Sequence, residues 1–245
     1  MKRWINVVTL VFSLVLNTLA VTLPLNGIDT GSISDRLDVP FTPAGYVFSI
    51  WSLIYLTLII WTLLQFKKDR QDSPVYTETH YLFWLINILN GVWLVTWHYF
   101  YFGIGVIIMV LLLFTLIAMY KKVQHRKAHG FDLVPFSLYL GWISVATIAN
   151  ISYFLTDIGW NGFGVSAEIW TVGLLILALI LATWFRYSQA DVIFPLVFVW
   201  ALIGVGIENQ AASSLVSSTA FIVVGIILVM IFVARKKKET LSFRS

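Results

Sequence analysis

Long apolar runs separated by short polar segments organise this sequence. Eight of them approach the length of a membrane-crossing helix, near residues 4–24, 44–66, 80–100, 103–120, 133–155, 167–185, 191–209 and 214–234. A helix needs about 20 apolar residues to cover the hydrocarbon of a bilayer, so each run predicts a transmembrane helix. The third and fourth are parted only by Tyr101-Phe102-Gly103, which predicts a tight turn. The seventh contains Pro195, Gly204 and Gly206 and predicts the least regular helix, the kind of break that lines a transport path. The fold class is all-α, a polytopic integral membrane protein.

The charges orient these helices. With the N-terminus inside, the inner segments hold 15 of the 16 basic residues, in clusters at Lys2-Arg3, Lys67–Arg70, Lys121–Lys127, Arg186 and Arg235–Lys238, with Arg244 beyond. Arg36 alone falls outside, which is the positive-inside pattern. An odd helix count would put Arg235–Lys238 on the wrong side, so eight helices with both termini inside are expected. Met1-Lys2-Arg3 before an apolar run resembles a signal peptide, but the run is long and lacks an A-x-A site, which favours a retained helix. The expected location is a bacterial cytoplasmic membrane, since no organelle-targeting segment precedes the first run.

Composition narrows the chemistry. Hydrophobic residues make up 59% and charged ones 11%, against about 25% charged in a soluble domain. The absence of cysteine excludes disulfides, thiol catalysis, Cys-ligated zinc and iron–sulfur clusters. The net charge of +4 sits in loops rather than on one binding face, so nucleic acid is a poor partner. Asp132, Glu168, Asp191 and Glu208 fall at helix ends, which disfavours an ion-coupled pump. No carboxylate pair or nucleophile–base pair shares a face, and the four histidines lack metal-ligand spacing. No catalytic residue, metal site or required cofactor is assigned, and the chain does not read as an enzyme.

What remains inside the membrane is aromatic and amide chemistry. Trp51 and Tyr55 are four apart and share a helix face. Asn87, Asn90, Trp93 and Trp97 form one stripe on the third helix. On the fifth, Trp142, Ala146 and Ala149 share a face with Asn150 beside them. Any one of these residues, taken alone, reads better as packing or interhelical hydrogen bonding than as binding. Together they predict an aromatic-walled pocket for a flat apolar ligand. The loop at 25–43, with Pro40 and Pro43, predicts an ordered lid. Trp160 and Phe163 read as interfacial anchors.

Three stretches resemble the TspO/translocator-protein family, the tryptophan-rich sensory or peripheral benzodiazepine receptor-like proteins. Pro40 to Trp61, PFTPAGYVFSIWSLIYLTLIIW, is similar to the family's second helix. Leu89-Asn90-Gly91-Val92-Trp93 resembles its Leu-Asn-x-x-Trp signature. Leu138 to Asn150 resembles Pro-Tyr-Leu-x-Trp-x-x-x-Ala-Thr-x-x-Asn, with Leu138 in place of Pro. The resemblance covers roughly residues 1–160 and implies a five-helix bundle at 1–158, with 159–245 as a three-helix extension. It implies a receptor or sensor that binds a tetrapyrrole such as a porphyrin at Trp51, Tyr55, Asn90, Trp93, Trp97, Trp142, Ala146 and Asn150, beneath the lid. The alternatives are a permease or exporter of a small hydrophobic molecule, or weak porphyrin breakdown using Trp51 and Trp142. The expected partners are the lipid bilayer, a small hydrophobic ligand and a second copy of the chain as a homodimer. The family's Trp-x-Pro-Pro is reduced here to Phe41-Thr42-Pro43-Ala44-Gly45, and no Lys or Arg follows Tyr153 to complete a sterol motif.

Overall fold

The computed structural model describes residues 2–22, 25–126 and 130–242, with backbone only for Val21 and residues 234–242. Lys127, His129 and Arg244 of the basic segments lie outside the described residues. Eight long helices follow the eight apolar runs: α1 Lys2–Thr22, α2 Ile50–Leu64, α3 His80–His98, α4 Phe102–His125, α5 Val134–Asp157, α6 Ala167–Gln189, α7 Ile193–Glu208 and α8 Ser214–Ser242. No strand occurs among the described residues. Helix is what an apolar solvent demands, because every backbone N–H and C=O must then be satisfied within its own segment.

Six stretches among the described residues are long and apolar enough to cross a membrane unaided: Lys2–Gly27, Gly45–Leu64, Phe102–His125, Val134–Asp157, Ala167–Gln189 and Ser214–Val233. The expected eight spans thus include two helices outside this set. At 16 residues α7 is short, and α3 carries Asn87 and Asn90 in its middle. The chain forms two compact units, Met1–Leu37 with Phe48–Phe154, and Asp38–Val47 with Leu155–Ser245. The units divide at 154/155, where the sequence suggests 158/159, and residues 38–47 count with the second.

In the first unit α3 packs along α1 and α4, and α1 also meets α2. Gly91 is a site of close approach between α1 and α3. A Cβ there would lie 2.8 Å from Leu16 Cδ1 and 2.9 Å from Phe12 Cε1. Small residues at helix crossings are the means by which membrane helices gain contact when no hydrophobic force separates them from lipid. At one end Trp61 packs on Tyr76, Phe83 and Phe136, joining α2, α3, α5 and the short helix Pro74–Thr77. Beside it Arg70 pairs with the buried Asp132 at 2.7 Å, and the Tyr76 hydroxyl donates to the same carboxylate at 3.3 Å. Burial pushes the Tyr76 phenol up to about 12. A hydrogen bond to Tyr76 and the Asp132 charge raise Arg70 further, against its partial burial.

In the second unit α6, α7 and α8 pack on one another. The α7 helix is unbroken, which removes the sequence ground for a broken transport helix. Pro195 is its third residue, where an N–H has no helical acceptor to lose. Gly204 and Gly206 are sites of close approach. A Cβ at Gly204 would lie 2.2 Å from Val47 Cγ2 and 3.1 Å from Pro43 Cβ, and one at Gly206 would lie 2.9 Å from Phe221 Cζ. Residues 38–47 are laid along this face. Ala44 N donates to Gly204 O at 3.2 Å, Asn209 Nδ2 to Pro40 O at 2.8 Å, and Trp200 Nε1 to Val47 O at 3.0 Å. The Pro40 and Pro43 segment, expected in a lid, is therefore held by α7. It then runs through a 3-10 turn at Gly45–Ser49 into α2.

Candidate functional site

The expected pocket residues of the first unit fall into two layers. The first gathers Trp51 and Tyr55 from α2, Asn90 from α3 and Trp142 from α5. Trp51 stacks on Tyr55 with centroids 5.4 Å apart, as a spacing of four on one helix dictates. It meets Trp142 edge-on at 6.2 Å and Tyr139 edge-on at 5.5 Å, while Phe48 also meets Trp142 edge-on at 5.9 Å. Behind these rings Asn90 is fully buried, and its Oδ1 accepts from Ser13 Oγ at 2.8 Å, Asn17 Nδ2 at 2.9 Å and Tyr55 OH at 3.0 Å.

Three polar groups in this layer are buried and make no hydrogen bond of good geometry among the described residues: Trp142 Nε1, Asn90 Nδ2 and Tyr139 OH, the last two lying near each other. More than nine in ten buried polar groups in native proteins are paired, so three such groups in one layer call for an explanation. Each costs about 1–3 kcal/mol unless something accepts from it. Chemically the layer offers flat π faces and hydrogen-bond donors. It suits an aromatic ligand with acceptor atoms on its edge.

The second layer joins Trp93 and Trp97 of α3 to Asn150 of α5, and it is closed on itself. Trp93 Nε1 donates to Asn150 Oδ1 at 2.9 Å, and Asn150 Nδ2 donates to Ala146 O at 2.9 Å. Ala146 contributes its carbonyl here and is only partly buried. Trp97 stacks near Trp93 at 5.9 Å, packs on Tyr153 at 4.9 Å, and donates to Thr30 O at 3.4 Å. These contacts seat the 25–34 part of the outer loop on the first unit. His98, buried completely, adds contacts at 3.0 Å to Leu25 O and 2.9 Å to Thr30 Oγ1, and Tyr153 OH donates to Ile33 O at 2.7 Å. Asp29 caps the short helix Thr30–Ser34 by accepting from Gly31 N and Ser32 N, each at 3.0 Å. The Ser32 hydroxyl, then its backbone N–H, holds the Asp29 carboxyl below the ordinary range against partial burial.

The structure adds residues that the sequence did not single out. Ser13 and Asn17 bring α1 into the first layer, and Tyr139 and Phe48 complete its rings. The signal for Ser13 and Asn17 was legible: Asn6, Thr9, Ser13 and Asn17, at spacings of three, four and four, define one face of a mostly apolar run. The signal for Tyr139 lay next to Trp142 in the same motif. His98 ends α3, as its place in the sequence suggests, and also anchors the loop.

A family model for the TSPO-like protein matches residues 3–233. The match runs through α6 and α7 into α8. Comparison with curated proteins gives no match, and comparison with solved structures gives none either.

Proposed function

Since the chain belongs to the TSPO-like protein family, we propose that this membrane protein is a receptor or sensor for a hydrophobic planar ligand of the porphyrin class, bound at Trp51, Tyr55, Asn90 and Trp142. The observation that carries this reading is the set of three buried donors beside the ring cluster that make no hydrogen bond of good geometry among the described residues. A porphyrin would offer its π face to the indoles and its ring-edge carboxylates or carbonyls to the donors. The rings at present touch one another, so binding requires Trp51, the only partly buried indole of the layer, to part from Trp142 and Tyr139. The hydrogen bonds gained offset that separation.

The test is quenching of intrinsic tryptophan fluorescence by protoporphyrin IX in the detergent-purified protein, with inner-filter correction, beside Trp142→Phe. Saturable quenching near or below about 1 μM, weakened at least about tenfold in the variant, is the expected outcome. Quenching that does not saturate, or is identical in both proteins, counts against this site. A second reading, porphyrin breakdown, draws on the edge-on contact of Trp51 and Trp142 at 6.2 Å, which would place both indoles against one bound ring. Light-dependent loss of porphyrin absorbance that disappears in both Trp51→Phe and Trp142→Phe distinguishes it. Stable absorbance under illumination leaves binding alone.

A further inference from the structure

A second site lies at the end of the first unit where α1 begins, α2 ends and α3 begins. A cleft of about 520 Å³ is lined there by Lys2, Arg3, His80, Trp4 and Phe66, with the buried amides of Asn6 and Gln65 beneath. The floor is rigid. Asn6 Nδ2 donates to Gln65 Oε1 at 2.8 Å, Trp84 Nε1 donates to Asn6 Oδ1 at 2.6 Å, and both amides are buried. Arg3 is held in place by donating to Gln71 O at 2.8 Å and Gln71 Oε1 at 3.3 Å.

The charge balance of this end sets the ligand's sign. Arg70 is paired with Asp132, and Arg126 with Glu78. Arg3 has a single carboxylate, the outward Asp72 at 3.5 Å, whose side chain is 86% exposed. Lys2 has no ion pair among the described residues, and no Asp or Glu lines the cleft. The first turn of α1, which starts here, contains no acidic residue to offset its positive end. An anion entering the cleft therefore finds two cations, one of them without an ion pair among the described residues, above a buried amide floor.

The walls set the ligand's shape. Trp4 leans on Phe66 with centroids 5.3 Å apart and is itself 66% exposed. Beyond it Val8, Val11 and Val15 are exposed at spacings of four, three and four, a single stripe that continues from the cleft along α1. A soluble anion would use only the rim. A molecule with an anionic head and acyl chains would use the rim, the aromatic wall and the stripe together. Interfacial Trp beside Lys and Arg is the side-chain set that holds lipid headgroups. We propose that this cleft binds the headgroup of an anionic phospholipid, with the phosphate at Lys2 and Arg3 and an acyl chain along Trp4, Val8, Val11 and Val15.

The full chain in dodecylmaltoside is titrated with dihexanoylphosphatidic acid, dihexanoylphosphatidylcholine and glycerol 3-phosphate while thermal unfolding is followed. Phosphatidic acid is expected to raise Tm saturably, and the other two are expected to leave it unchanged. Half-saturation should shift at least about tenfold higher in Lys2→Gln, return in Lys2→Arg, and stay put in Lys68→Gln, an exposed charge outside the cleft. An equal shift in Lys68→Gln would overturn the proposal in favour of diffuse surface charge. An equal response to phosphatidylcholine would overturn it in favour of chain binding alone, and an equal response to glycerol 3-phosphate in favour of a soluble phosphate ester.

Discussion

Two layers of the first unit are made of the same parts, indoles and an asparagine, and differ in what they leave over. At Trp93 the indole N–H is taken up by Asn150, whose own amide is taken up by Ala146. At Trp142 the indole N–H is unpartnered among the described residues. Asn90 there spends its oxygen on three donors while its amide nitrogen makes no hydrogen bond of good geometry among the described residues. An asparagine beside a tryptophan in an apolar helix is thus not a binding signal in itself. What decides is whether neighbouring helices consume the pair's polarity. In the second layer they do, and the pair joins α3 to α5. In the first they supply donors where acceptors are needed, which leaves a standing cost that a ligand with acceptors can remove.

This contrast breaks or holds under substitution. The largest effect is expected from Trp93→Leu, which opens a cavity and strands Asn150. Stability should fall by about 3 kcal/mol or more in thermal unfolding, with protoporphyrin affinity kept. A parallel loss of affinity would merge the two layers into one pocket. Asn150→Ala strands the Trp93 indole N–H and should cost about 1–3 kcal/mol, again with affinity retained. Ser13→Ala removes one of three donors to Asn90 and should cost about 1 kcal/mol. Trp142→Phe should move stability by less than about 1 kcal/mol, and upward if at all, because it deletes an unpaired donor; its affinity should drop. A loss as large as that of Trp93→Leu would show that Trp142 is simply core.

The smallest effect is expected from acid. Because the folded Asp29 carboxyl titrates below its ordinary 3.8, its cap contributes fully above that value and is lost as pH falls beneath it. Hydrogen exchange across residues 30–34 should quicken in that window, and Asp29→Asn should abolish the pH dependence.

The helices were legible because a bilayer accepts few alternatives, and uninterrupted apolarity over some twenty residues needs no further evidence. The two-layer division was not legible, since Trp93 and Trp142 each sit near an asparagine in the sequence and only the facing helices tell them apart. Pro195, Gly204 and Gly206 looked like breaks in α7. Proline is harmless in a first turn, and a glycine that admits a neighbour cannot be told from one that interrupts until the neighbour is known. That neighbour, Val47, lies far away along the chain. The partners of the Pro40 and Pro43 segment were hidden for the same reason: its length and prolines suggested an ordered loop, and the residues it meets are on α7.

The strapping of residues 38–47 along α7 also governs how the protein is made. Pro40 leaves the ribosome 169 residues before Asn209, the side chain that accepts its custody. At about 5–20 residues per second, that interval is on the order of ten seconds or more. Throughout it, the Ala44 N–H and the Val47 and Pro40 carbonyls lack their final partners. The second unit therefore begins with residues 38–47, made long before the helix that holds them. A nascent chain stopped after α5 keeps an open clause in its second helix's approach, which closes only when α7 arrives.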